Sequence, residues 1–210
     1  MKILFLSNLY PPFVRGGAEY LGSEVVKEMS KQGYEVAVFT SVPWPALNSF
    51  RLDKRQEGAI TVYRFWPINL YHYLNANKHN WLVRLAWQFI NLFNIYSAHR
   101  LRQVMREFKP ELVVSFNLMG LGFNLPKSIK SFGLDHIHVL HDVQLLHPAG
   151  LIIWGQEKFL NSSVAKIYQI INKFLWNDVS EVLSPSQWLL DLHKQKGFFK
   201  NAMIALGHST

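Results

Sequence analysis

The chain opens with an apolar run, Ile3-Leu4-Phe5-Leu6, that stops before Pro11-Pro12 and resumes behind the pair Gly16-Gly17 as a helix-patterned segment. That order constrains the fold more than any other feature. A buried strand that passes through a proline-stiffened turn into a helix is the first half of a strand–helix–strand unit, and such units build parallel sheets with helices over their faces. The turn also has chemical meaning. Glycines lack a Cβ, so the backbone N–H groups of Gly16 and Gly17 can approach an anion at the positive end of the helix that follows. The plainer reading is a strand-to-helix connection that happens to contain glycine.

The alternation continues along the chain. Lys2 to Ser7 reads as a strand and Ala18 to Lys31 as a helix with Leu21, Val25, Val26 and Met29 on one face, closed by Gly33. Strands follow at Glu35 to Ser41 and Ile60 to Phe65, joined by a polar, proline-bearing connection. One long helical region is expected from Asn80 to Phe108, then a strand at Leu112 to Phe116 and a short helix near Pro126 to Ser131. Ile137 to Leu140 forms a strand ending in His141-Asp142, and Ser163 to Asn177 a helix. Val182-Leu183, a helix capped by Ser186 and ended by Gly197, and a strand at Ala202 to Leu206 complete the pattern. The fold class is α/β, a parallel sheet with helices on both faces, in which ligands gather at the carboxyl ends of the strands.

Composition narrows the function classes. With 210 residues and 49% hydrophobic content the chain can bury one substantial core, so we expect one domain. Cysteine is absent, which excludes a disulfide framework and cysteine metal sites. A net charge of +8 favours anionic partners: nucleotide phosphates, nucleic acid or acidic lipid headgroups. The N-terminal apolar run is interrupted too early for an export signal, and the uncharged stretch Leu85 to Ala98 is too short to span a bilayer.

Tyr10-Pro11-Pro12 with Gly16-Gly17-Ala18-Glu19, then Gly33-Tyr34-Glu35-Val36, resembles the start of family 4 retaining glycosyltransferases of the GT-B fold. His141-Asp142-Val143 through His147-Pro148 is similar to that family's histidine loop, Ser184-Pro185-Ser186-Gln187-Trp188 to its proline-serine turn, and Gly197-Phe198 to the glycine that follows. The resemblance implies the N-terminal, acceptor-side, Rossmann-like domain over residues 1–210, with the donor-binding C-terminal domain missing. It implies transfer of a sugar from a nucleotide-diphosphate-sugar to a glycan or lipid-linked acceptor. No other cofactor and no metal are expected, and the fragment alone is expected to be inactive. Ala205 to Thr210 falls where the interdomain connection of the family begins, without its asparagine-glycine pattern.

Residue by residue, the resemblance assigns His141 to the reacting centre, Gly16 and Gly17 to donor phosphates or acceptor, and Tyr10 and Asn117 to the acceptor. Asn117 stands where many relatives carry histidine. Arg15 adds charge to the same donor-phosphate or acceptor pocket or is simply solvated, and Asp142, grouped with the acceptor contacts, orients His141 or is an ordinary turn residue. Glu19 is explained by the helix dipole as well as by a ligand. Histidines 136, 138, 141 and 147 invite a metal reading, but alternation puts His136 and His138 on one strand face and His141 at its end, so they are expected to disperse.

Trp81 to Arg106 is apolar nearly all round, with a thin polar line of Arg84, Gln88, Asn91 and Asn94. It reads as a helix buried against the sheet or as one that docks on an anionic membrane surface, which would place the protein in the cytoplasm or on the inner face of the membrane. A non-catalytic module that binds nucleotide, glycan or membrane is the alternative to an enzyme. Nucleic acid is not expected as a partner, because the basic residues form no compact stripe and no RNA-recognition signature is present.

Overall fold

The structure, a computed structural model, describes residues 1–43, 47–152, 155 and 157–206. Gly207 to Thr210, most of the stretch read as an interdomain connection, lie outside the described residues. In chain order the elements are β1 (Lys2–Ser7), α1 (Gly17–Lys31), β2 (Glu35–Ser41), β3 (Asp53–Glu57), β4 (Ile60–Phe65), α2 (Trp81–Leu92), α3 (Ile95–Phe108), β5 (Leu112–Ser115), α4 (Leu125–Lys130), β6 (Asp135–Val139), α5 (Ser163–Trp176), β7 (Glu181–Ser184), α6 (Gln187–Gln195) and β8 (Met203–Leu206). Short 3-10 turns at Leu47–Phe50, Tyr73–Lys78 and Glu157–Asn161 lie between them.

One eight-stranded sheet runs in the order β3-β4-β2-β1-β5-β6-β7-β8. All neighbours are parallel except β3 and β4. The period-two pattern decides what each strand buries: Leu4 and Leu6 enter the large core with Leu101, Val104, Phe123 and Trp176, while Ile3 and Phe5 enter the smaller one under Val26. Each such fully buried Leu or Phe contributes about 1.5–3 kcal/mol of transfer free energy. The result is a three-layer body with α1 on one face and α3, α4 and α5 on the other.

Three expectations are corrected. The antiparallel strand β3 fills the connection between β2 and β4; its five residues, Asp-Lys-Arg-Gln-Glu, are all exposed, so it has no hydrophobic signature and is held by backbone pairing to β4. The long helix is two helices, because the Asn94 side chain accepts from Ser97 N at 2.9 Å and caps a new start. Leu21 is exposed, while Val26 is buried and Val25 and Met29 pack against the smaller core as expected; Glu19, Gly22 and Ser23 complete the buried stripe of α1. Gly22 sets the exposure of Leu21. A Cβ there would lie 3.3 Å from the Phe116 ring, so the helix approaches by its bare glycine and Leu21 turns outward.

Candidate functional site

The carboxyl ends of β1, β5 and β6 meet the N-terminus of α1, and a cleft of about 630 Å³ opens beside them. Its polar end is built by Arg15, Gly16, Glu19, Asn117 and Asp142. Asn117, just beyond β5, donates its side-chain amide to Asp142 Oδ2 at 3.0 Å, while its own Oδ1 accepts from Met119 N at 2.8 Å. Asp142 Oδ1 accepts from Gln144 N at 2.9 Å. Both oxygens of the carboxylate are therefore oriented by the chain.

Burial pushes the Asp142 carboxyl up to about 6; the Gln144 N–H counters that shift and the negative charge of Glu19 adds to it. Glu19 is itself buried and accepts from Gly16 N at 2.9 Å, closing the first turn of α1 onto the glycine loop. It serves as both a helix-start residue and part of the cleft wall. Arg15 lies with its guanidinium 4.8 Å over the Tyr73 ring and donates to Asn77 Oδ1 at 3.4 Å, which ties the glycine loop to the 3-10 turn across the cleft.

The other wall is aromatic and was not legible in the sequence. Tyr71 stacks on Trp87 with ring centroids 5.3 Å apart, and Trp87 Nε1 donates to Tyr71 O at 2.7 Å. Gly120 lets this wall close: it has φ +91°, and a Cβ on it would lie 3.0 Å from Tyr73 Cβ and 3.2 Å from Trp87. Gly17 differs: its φ is not positive, and among the described residues nothing lies within 4 Å of the position its Cβ would take. Space beside Gly17 is open to solvent and to a ligand.

The structure separates the sequence-derived residues. Arg15, Gly16, Asn117 and Asp142 border the cleft; Gly17, His141 and Tyr10 do not. The Tyr10 ring is buried in the smaller core with Phe5 and Val38, beneath the Arg64 guanidinium at 5.9 Å, so the surface expected to face an acceptor is used for packing. His141 is half-buried and stacked on Phe116 at 6.1 Å, and its Nε2 finds no hydrogen-bond partner among the described residues. Burial lowers its pKa, an effect that the Glu19 charge partly offsets, so the ring is neutral at pH 7. His147 lines the cleft and accepts from Ala149 N at 3.1 Å.

His136 and His138, expected on one face of their strand, lie on one face and share a partner there. Ser115 Oγ lies 2.7 Å from His136 Nε2 and 2.9 Å from His138 Nδ1, in a fully buried cluster under Trp176. The hydroxyl has one proton to give, so one imidazole donates to it and the other accepts from it. Burial depresses His136 to about 3 and holds His138 well below its ordinary value. They form a neutral structural relay. No group of three or more His, Cys, Asp or Glu side chains is gathered to hold a metal ion among the described residues.

The polar line that runs from α2 to the cap of α3 faces inward. Gln88 donates to Pro148 O, Asn91 Oδ1 accepts from Gly120 N at 2.9 Å, and Asn94 donates to Ile68 O at 3.1 Å. These side chains fasten the loops that wall the cleft.

Comparison with known proteins agrees with this architecture. The model of the glycosyl transferase 4-like domain matches residues 15–207. An uncharacterized 42.6 kDa protein in the cps region of Klebsiella pneumoniae is 27% identical over 202 residues, covering 96% of this chain and 53% of the relative. Sucrose-phosphate synthase from Thermosynechococcus elongatus superposes with a TM-score of 0.65 at 10% identity, over 98% of this chain and 47% of that one. Phytolacca americana UGT2, complexed with UDP-2-fluoro-glucose and pterostilbene, gives 0.54 at 8% identity, over 99% and 53%. The chain thus spans about half the length of the proteins it matches, with the Rossmann-like fold of one GT-B half. With its parallel sheet, glycine turn and strand-end cleft, the chain belongs to the glycosyl transferase 4-like domain family.

Proposed function

We propose that this chain is the acceptor-side half of a retaining glycosyltransferase that moves a sugar from a nucleotide-diphosphate-sugar to a glycan or lipid-linked acceptor in polysaccharide biosynthesis, working in the cytoplasm with a second, donor-binding domain. The observation that carries this reading is the convergence of the oriented Asp142–Asn117 pair, the Glu19 carboxylate and Gly16 at the start of α1 on one cleft.

The chemistry follows from those parts. Departure of a nucleoside diphosphate leaves an oxocarbenium-like sugar, and retention requires the acceptor to attack the face from which the diphosphate leaves. The leaving phosphate can then take the acceptor proton, and the protein supplies position and charge. The Gly16 N–H is held by Glu19, so the backbone N–H groups that follow it at the start of α1 are the ones that suit the diphosphate. The Asp142 carboxylate, ionised in most molecules at pH 7, suits an acceptor hydroxyl, and the aromatic wall of Tyr71, Tyr73 and Trp87 offers a face for a sugar ring. His141, neutral and with no partner for its Nε2 among the described residues, suits a sugar hydroxyl near the reacting carbon.

The test is transfer by the full-length protein from a panel of labelled nucleotide-diphosphate-sugars, with the anomeric configuration of the product read by NMR. A product with the donor's configuration supports the proposal. An inverted product removes the retaining mechanism. Tight donor or glycan binding without any transfer turns the reading toward a binding module.

A further inference from the structure

Two helices of this domain bury amides beside their core side chains and expose large apolar groups on the opposite face. α2 turns Gln88 and Asn91 inward and presents Leu82, Phe89 and Ile90 to solvent, with Trp81 at its start and Phe93 just past its end 70% and 51% exposed. α5 does the same: Gln169 donates to Leu146 O and Leu160 O, both at 2.9 Å, and Asn172 to Leu145 O at 3.2 Å. Its outer face carries Val164, Ile167, Ile170 and Phe174, the last two 62% and 68% exposed. Buried amides and exposed large apolar groups are the reverse of what water selects for in a helix.

The two outer faces adjoin. An apolar groove of about 110 Å³ between them is lined by Leu85, Phe89 and Leu92 of α2 and Val164, Ile167 and Ile171 of α5. Leu85, Gln88, Pro148 and Val164 border both this groove and the cleft, so the two spaces are continuous.

Charge identifies the occupant. Between Glu57 and Glu107 the sequence contains no acidic residue, while Lys78 precedes α2; between Glu157 and Asp178 there is again none, while Lys158, Lys166 and Lys173 are present. Asp178, at the foot of α5, is paired with Lys127 at 2.6 Å. An apolar face bordered by cations and free of anions matches a bilayer with acidic headgroups, where hydrocarbon accepts the aromatic and aliphatic groups and phosphates accept the lysines. No helix among the described residues is long and apolar enough to cross a membrane, so such contact is interfacial.

We propose that the α2–α5 face seats this protein on an anionic bilayer, with the groove opening the cleft toward the membrane. The inference extends the proposed function by stating where the acceptor is met. Its test uses neither donor nor acceptor, so failure here leaves the transfer reading untouched, and the reverse.

The experiment is co-sedimentation of the full-length protein with phosphatidylcholine vesicles with and without phosphatidylglycerol. Binding to the mixed vesicles, weakened by salt, is expected. The triple variant Phe89→Ser, Ile167→Ser, Ile170→Ser should lose binding while keeping its circular dichroism and melting temperature, since all three side chains are exposed. Lys166→Gln should weaken partitioning about fivefold, the equivalent of about 1 kcal/mol per surface lysine. Absence of binding, binding unchanged in the triple variant, or equal binding to neutral vesicles would overturn the proposal. So would a dimer that the triple variant splits in the absence of lipid, which would assign the face to a second copy.

Discussion

The side-chain amide of Asn117 reaches across from the end of β5 to Asp142 just beyond β6, at 3.0 Å, and so couples two strand ends through one carboxylate. A donated hydrogen bond stabilises the ionised form, so Asn117→Ala should raise the pKa of Asp142 further above about 6. The acid limb of the pH–rate profile of the full-length enzyme should move to higher pH, with turnover at pH 7 about tenfold lower. An unmoved limb would mean that the Asp142 ionisation does not govern turnover.

His141→Ala in the full-length enzyme should lower turnover about a hundredfold, the scale of losing one aligned electrostatic partner, with little change in melting temperature. The ring is half-buried and touches Phe116 by one stacked contact, so the fold loses little. Unchanged turnover would remove His141 from the site.

Gly17→Ala and Gly120→Ala should behave oppositely. At Gly17 a methyl group meets nothing within 4 Å among the described residues and the backbone is unstrained, so thermal stability should hold while KM for the donor rises. At Gly120 the φ of +91° and the 3.0 Å approach to Tyr73 Cβ make alanine destabilising by more than about 1 kcal/mol. Equal effects of the two substitutions on the melting temperature would contradict this contrast.

Acid should unfold the domain early. Burial lowers His72 and His193 to about 4, His136 to about 3, and His138 well below 6.5. The unfolded chain takes up those protons as pH falls through about 6.5, and the folded chain resists until about 4 or lower, so stability is complete above pH 6.5 and declines with pH below it. Asp142, raised to about 6, works the other way between about pH 6 and 4, but it is one group against four histidines. Urea midpoints measured from pH 7.5 to 4.5 should fall steadily; a flat profile would show that these imidazoles are not held neutral.

What could be read from the sequence was what repeats locally. Short apolar runs located β1, β2, β4 and β5, and Ser186 with Gly197 bracketed α6 because caps and left-handed glycines are local signals. β3 escaped because a strand with no buried side chain leaves no pattern, and the break after Leu92 escaped because Asn94 looked like one more member of a polar line. The glycine turn and the histidine loop were legible as segments. Their shared cleft was less so: its aromatic wall joins Tyr71, Tyr73 and Trp87 with Met119 and Gly150, residues that only tertiary packing brings together. The Ser115 relay was hidden for the same reason, since strand alternation gives the face of His136 and His138 but not the residue opposite on β5.

The two ends of the sheet are unlike. β3 presents a row of charged and amide groups, with Arg55 on Asp53 and Lys54 on Glu107, and any strand that paired with it would have to strip water from them. β8, at the other end, is Met-Ile-Ala-Leu. The sheet therefore has one guarded margin: a further strand beside β3 is refused by the water that its charged and amide groups hold.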